Sequence, residues 1–214
     1  MTIQTIQLWQ LLRRFLCQFF VFSLFGFGAA NAHDLNLQFG WRVDSDASDV
    51  SFTMVKKGTV VEFGTFSGLS GSVDANGTAE LQLDMQSVSS GFDIRDVRLR
   101  FLLFEVQKFP NALIQMQINS NALDGIRDGD MRDITQDLRV NFRGKFKTYT
   151  ADLRVHAMDD DLVSVTLKKP ILINAADFDL AAGFRKLEEA VQVTIVPATS
   201  LSFNIVLRQN SESS

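Results

Sequence analysis

Arg95 and Asp96 stand side by side at the head of an apolar stretch running from Gly91 to Pro110, and they are the residues best placed to do chemistry. Such a pair could hold a ligand headgroup or act as a catalytic pair. It could equally position a helix, because an aspartate near a helix start is favoured by the dipole and an arginine can tie neighbouring loops together. From residue types alone the positioning role is the stronger. The other candidates are weaker. His33 and His156 are the two histidines, without the paired spacing of a metal site that needs three or four ligands. Asp44, Asp46 and Asp49 suggest a calcium loop, but the glycine of its sharp turn is missing and Val55 stands where the bidentate glutamate belongs. Ser87, Ser89 and Ser90 have no histidine near them in sequence to make a nucleophile. Asn76-Gly77-Thr78 matches a glycosylation acceptor, yet Asn-Gly between two alternating runs is first a hairpin turn. Lys145 and Lys147 are isolated bases on a strand. No catalytic residues, no metal ligands and no cofactor site emerge.

The elements that would position Arg95 and Asp96 are legible. Ile94, Val97, Phe101 and Phe104 recur at helical spacing, and Leu99, Leu102 and Leu103 broaden the stripe. Pro110 closes the segment off, since the residue before a proline is pushed out of helical geometry. The pattern predicts one short helix over about residues 93–105. Elsewhere the period is two: Val50–Met54, Leu81–Met85, Ile114–Ile118, Leu138–Phe142, Leu153–Val155, Val163–Leu167, Val191–Ile195 and Leu201–Leu207 each alternate apolar with polar. Turns at Asp74–Gly77, Asp124–Gly129 and Met158–Asp161 separate several of them. The class is all-β. Eight one-sided strands require a sandwich or an antiparallel barrel, and an eight-stranded barrel is about the smallest that encloses a ligand. The helix would cap its mouth with the apolar side toward the lumen.

The N-terminus reads differently. Arg13 and Arg14 precede an apolar run from Phe15 to Phe27, and Ala30-Asn31-Ala32 supplies a small-x-small cleavage pattern. Residues 1–32 therefore read as a secretory signal peptide, 33–210 as one domain, and 211–214 as a disordered polar tail. An uncleaved anchor is the rival, but the run is shorter than the roughly 20 residues a membrane-spanning helix needs. The chain carries 25 acids against 21 bases, and the signal takes two bases and no acids. What remains is more acidic still, a poor match for nucleic acid, whose binding relies on clustered positive charge. Cys17, the single cysteine, falls inside the signal, so the exported chain has no disulfide. Bacterial periplasm is the simplest destination.

Several of these residues also form a recognisable set. Arg95-Asp96, Leu99-Arg100, Phe104 and Phe109-Pro110 resemble the helix signature of the YceI-like family of periplasmic polyisoprenoid-binding proteins. Trp41-Arg42-Val43-Asp44, Val50-Ser51-Phe52, Gly64-Thr65-Phe66 and Ser67-Gly68 resemble the family's opening strands. Leu81 to Asp96 resembles its lead into the helix, and Asp177-Phe178 a late Asp-Phe pair. The resemblance spans about Trp41 to Arg208 and is most specific up to Pro110. Three departures stand out: lysines at 56 and 57 in place of a histidine, Leu103 in place of an acid, and Phe142-Arg143-Gly144 where a glycine-threonine turn is expected.

The resemblance implies an extended, lipocalin-like barrel with a long hydrophobic tunnel that binds isoprenoid chains, such as quinone tails or polyprenyl lipids, without chemistry. Phe52, Met54, Phe63, Phe66, Leu83, Met85, Leu99, Phe101 and Phe104 are then the candidate lining, with Arg95 and Arg98 near the headgroup. Alternation alone leaves a filled core equally open for them. A carrier of this kind would touch a membrane transiently, and some family members pair into homodimers. The alternative is a structural or interaction module of the bacterial envelope, with a filled barrel and a partner protein on the helix.

Overall fold

A computed structural model describes residues 40–210, the side chain of Ser120 apart. The expected signal segment, His33 and the tail beyond 210 lie outside the described residues. Twelve strand segments appear: β1 Trp41–Val43, β2 Asp49–Lys56, β3 Val60–Phe66, β4 Leu69–Val73, β5 Thr78–Asp84 and β6 Val88–Ser89 precede the first helix. After it come β7 Asn111–Gln117, β8 Met131–Phe142, β9 Lys145–Asp159, β10 Leu162–Leu167, β11 Ile171–Asn174 and β12 Ala198–Gln209. Helix α1, Asp93–Arg98, continues directly into a π-helical turn, Leu99–Phe104.

The twelve segments make eight staves, because β1 with β2, β3 with β4, β5 with β6, and β10 with β11 are the two halves of interrupted strands. β2 pairs with β3 and β1 with β4; β4 pairs with β5 and β3 with β6. The meander then runs through β7, β8, β9 and β10 to β12, always antiparallel. β12 returns to β1 and β2, so the eight-stranded barrel closes. Closure satisfies the backbone groups that an open sheet would leave exposed at its edges. Tight turns carry the reversals: Arg143 and Gly144 both have positive φ (54° and 73°), as the hairpin between β8 and β9 requires. At Asp74 the carboxylate accepts from the N–H groups of Asn76 and Thr78, which makes Asn76-Gly77 the hairpin turn anticipated.

Two expectations about elements are corrected. Val191–Ile195 is not a strand. Val191 ends a second helix, α2 Ala181–Val191, Gln192 is left-handed, and Ile195 makes only an isolated bridge to Lys56. The helix was hidden because its apolar stripe is thin, Phe184, Leu187 and Val191, while the alternation after it looked strand-like. The mouth therefore has two helices rather than one.

These helices pack backbone to backbone. A Cβ on Gly183 of α2 would lie 2.9 Å from the Leu102 carbonyl oxygen and from Leu103 Cα. Gly183→Ala should thus destabilise the fold by about 1–3 kcal/mol through overpacking, even though alanine in an unconstrained helix position would gain about 1 kcal/mol. Urea unfolding of the variant measures the sign directly; a gain in stability would mean the helices have slack.

Candidate functional site

The apolar faces of the staves converge on a cavity of about 160 Å3 under the two helices. Strands contribute Phe52, Met54, Phe66, Leu83, Ile114, Val140 and Phe142; the helical segments contribute Leu99, Leu103, Phe104, Phe184 and Leu187. Five phenylalanine rings form a continuous chain across this space. Phe52 meets Phe66 at 5.2 Å between ring centres, Phe66 meets Phe104 at 5.9 Å, Phe104 meets Phe142 at 6.2 Å, and Phe142 meets Phe178 at 6.1 Å. Such tilted and edge-on contacts add stabilisation beyond burial. They hold the wall in one arrangement.

The lining's polar side chains are Thr53, Thr199 and Tyr149, and each is already engaged. Thr199 donates to the Thr53 carbonyl, Thr53 Oγ1 accepts from the Ser200 N–H, and Tyr149 donates to Asp177. Burial, reinforced by the Asp177 carboxylate, pushes the Tyr149 phenol well above its usual range, so it stays a donor. Lys147 and the Tyr149 hydroxyl in turn hold Asp177 below the usual carboxylate range. Among the described residues, no carboxylate, amine, imidazole or thiol lines the cavity. It can bury carbon and little else.

Ile114, Leu138 and Phe203 are shared with a space of about 60 Å3 deeper in the barrel and stand between the two. A third, of about 40 Å3, shares Val73, Met116, Val165 and Leu207 with the second. At the other end Met54, Leu99, Leu187 and Ile195 belong both to the main cavity and to an outer vestibule of about 350 Å3. The vestibule is bounded by Lys56, Lys57, Glu62, Phe92, Arg95 and Arg98. The four spaces thus lie in series along the barrel, each divided from the next by shared side chains.

Asp96 sets the helix that roofs the main cavity. It is 6% exposed and accepts from both the N–H and the hydroxyl of Ser90, at 2.7 and 2.5 Å. That is the positioning role, played by the aspartate of the pair. With Asp96 inward, residues 99, 103 and 104 also turn inward, while Ile94, Val97 and Phe101 are exposed. The apolar stripe expected through Ile94, Val97 and Phe101 is corrected accordingly: a buried carboxylate rotates the helix, and the π-helical turn shifts the face further. At its far end the helix is pinned by Glu105, whose carboxylate meets Arg143 at 2.8 Å.

Of the candidate lining residues, Phe52, Met54, Phe66, Leu83, Met85, Leu99 and Phe104 lie on the main cavity. Phe101 is 45% exposed on the outer helix surface. Phe63 is corrected too: it sits on the outer face of β3, 69% exposed, because Gly64 and Phe66 are the residues of that strand that turn inward. Arg95 borders the vestibule, donates to Glu62 at 3.0 Å and stacks over Phe92. Of the walls not anticipated, Phe142 was readable as the inward residue of β8, and Phe184 and Leu187 from their three-residue spacing. Phe178 carried no periodic signal. Asp44, of the three acids that suggested a calcium loop, is instead bound by Arg208.

The profile of the YceI-like domain matches residues 41–205. This chain belongs to the YceI-like family. Among solved structures, the YceI-like barrel is similar to a polyisoprenoid binding domain from Saccharophagus degradans implicated in plant cell wall breakdown, with TM-score 0.77 and 27% identity over 79% of this chain and 98% of that one. It is similar in fold to BcnA of Burkholderia cenocepacia, with TM-score 0.58 and 22% identity over 77% and 98% of the two chains. The YceI protein of Campylobacter jejuni shares the fold at TM-score 0.50 and 15% identity, over 69% of this chain and 85% of that one. No curated protein matches the chain. Of the three departures seen in sequence, Lys56 and Lys57 fall at the vestibule, Leu103 on the cavity wall and Arg143 on the hairpin that anchors the helix end.

The Glu105 anchor has a pH signature. The Arg143 guanidinium, aided by Lys108, holds the Glu105 carboxyl below the ordinary glutamate range. Its stabilisation is therefore complete above the unfolded value of about 4.3 and is lost as pH falls from there through the folded value. Glu105→Gln should flatten that part of the acid-unfolding curve, followed by circular dichroism between neutral pH and pH 2; an unchanged slope would show that the anchor does not couple to folding.

Proposed function

We propose that this YceI-like barrel is a binding protein for a long apolar lipid, an isoprenoid such as a quinone tail or a polyprenyl chain, and that it sequesters and carries the lipid rather than transforming it. The observation that carries the reading is the main cavity, whose walls are apolar and hold no unengaged hydroxyl among the described residues. The likeness to a polyisoprenoid binding domain at 27% identity supports the same ligand class. The main cavity has room for on the order of ten carbon-sized atoms, roughly two isoprene units. At roughly 0.8 kcal/mol per buried methylene that is about 8 kcal/mol before the cost of association. Longer tails would continue past Ile114, Leu138 and Phe203. A filled barrel would leave no such cavity.

The setting is part of the same proposal. A signal peptide ending at Ala32 would deliver the chain to the periplasm, and the exposed side chains of Phe92, Ile94, Val97 and Phe101 near the mouth suit transient contact with a membrane or with a second copy of the chain.

The test is native mass spectrometry of protein from a periplasmic extract, with organic extraction of what accompanies it. A polypeptide beginning at His33 with one long-chain lipid is the expected result. A bare mass that persists after incubation with quinones and polyprenols would overturn the lipid reading. Ala112→Phe, which fills the main cavity from β7, should abolish lipid uptake while leaving a folded barrel. Leu138→Ala should join the two spaces that it separates and shift preference toward longer tails, at a stability cost of about 2–5 kcal/mol; equal preference would show that Leu138 does not limit chain length.

A further inference from the structure

The vestibule differs from the cavity it opens into. Among its walls are four cationic side chains, Lys56, Lys57, Arg95 and Arg98, and one carboxylate, Glu62. Glu62 is shared, meeting Lys56 at 2.6 Å and Arg95 at 3.0 Å. One carboxylate cannot neutralise both. Arg98 and Lys57 have no ion-pair or hydrogen-bond partner for their side chains among the described residues. Glu188, whose Oε1 accepts from the Ile195 N–H at 2.7 Å, is not among the vestibule's walls and forms no ion pair with these cations. This surplus of positive charge sits on a chain whose formal net charge is −4.

The position of the charge matters as much as its sign. Met54, Leu99, Leu187 and Ile195 are walls of the vestibule and of the cavity alike, so a tail in the cavity brings its head among these cations. Lys57 is fixed at the β2–β3 turn by a left-handed backbone (φ 53°) and by its N–H bond to the Thr194 carbonyl. Arg95 is held by Glu62 and the Phe92 ring. A neutral head would leave Arg98 and Lys57 without a counter-charge, whereas an anionic oxygen cluster would accept from both. Guanidinium groups suit phosphate, and charge-assisted hydrogen bonds are the strong ones.

We propose that the vestibule formed by Lys56, Lys57, Arg95 and Arg98 binds an anionic headgroup, and that the ligand is an apolar-tailed phosphate rather than a neutral lipid. The assignment rests on the lipid-binding reading above and adds the head to the tail. The inward aspartate, Asp96, stays with Ser90 and takes no part.

Binding of farnesyl phosphate and of farnesol, which share one tail, is compared by isothermal titration calorimetry on the chain lacking residues 1–32. The phosphate should bind about ten- to a hundredfold more tightly, the range of one charge-assisted hydrogen bond. That ratio should fall toward one in the Arg98→Gln, Lys57→Gln double variant. Raising the salt concentration on the unaltered protein should shrink it as well, a reading that does not depend on how the variant folds. Equal affinities for phosphate and alcohol would overturn the headgroup assignment and leave the tail reading standing. Failure of both to bind would remove the tail reading, and the assignment with it. Inorganic phosphate that binds as tightly as farnesyl phosphate would mark a free-anion site and also overturn the proposal.

Discussion

Strand β12 hydrogen-bonds to β10 and β11 along one edge and to β1 and β2 along the other, and the barrel closes only because this one strand of twelve residues can serve four partners. Serving four partners requires both of its neighbouring staves to break: β1 from β2 at Asp44–Ser48, and β10 from β11 near Lys168-Lys169-Pro170. At the first break Ser48 bonds back to β12 through the Val206 N–H, so the ladder is bridged where it is interrupted. Closed eight-stranded sheets have an interior that side chains can just fill or just fail to fill. Here they leave spaces of only about 40 and 60 Å3 toward one end and about 160 Å3 toward the other.

The difference between the two ends is a matter of side-chain volume and of roof. The floor is packed by Trp41, Ile126, Leu153 and Val155 with small alanines at 79, 151 and 157 between them. Toward the mouth the wall is phenylalanine, from β2, β3, the π-helical turn, β8 and the turn after β11. Rings in edge contact brace one another around a space instead of collapsing into it, because a planar ring cannot deform to fill a gap as an aliphatic chain can. The helices complete the roof. α1 is hung from Ser90 by Asp96 and from the β8–β9 hairpin by Glu105, and α2 lies against it where Gly183 lets the two backbones touch. Gly91, just before the helix, takes the positive φ of 78° that favours glycine.

Polar groups follow the same division. Inside, each hydroxyl is spent on a neighbouring backbone or carboxylate, so nothing competes with an apolar guest. At the rim, one carboxylate stands against four cations, and an aspartate that might have balanced them is buried in the helix hinge instead. Asp96 orients Leu99, Leu103 and Phe104 toward the cavity and is bound to Ser90 rather than to the cations of the rim.

Much of this was legible in the chain. Period-two alternation fixed most of the strands and one helical period announced α1, because burying one face of each element imposes those spacings on any folded chain. The all-β class, seven of the eight staves and the inward residues Phe52 and Leu83 follow from residue order alone, whereas the stave of β3 and β4 showed no clear alternation and Val191–Ile195 is no strand. What order could not provide was rotation and depth. Phe63 and Phe101 are as apolar as their neighbours, yet they face out, since a strand face is chosen by its partners' register and a helix face by where Asp96 is anchored. Helix α2 stayed hidden because its apolar stripe is only Phe184, Leu187 and Val191, and the alternation after it mimics a strand. The sequence by itself determined which elements form and which residues are available to line an interior; only the tertiary structure decided that this interior stays open, because packing volume is a property of the closed barrel and not of any strand within it.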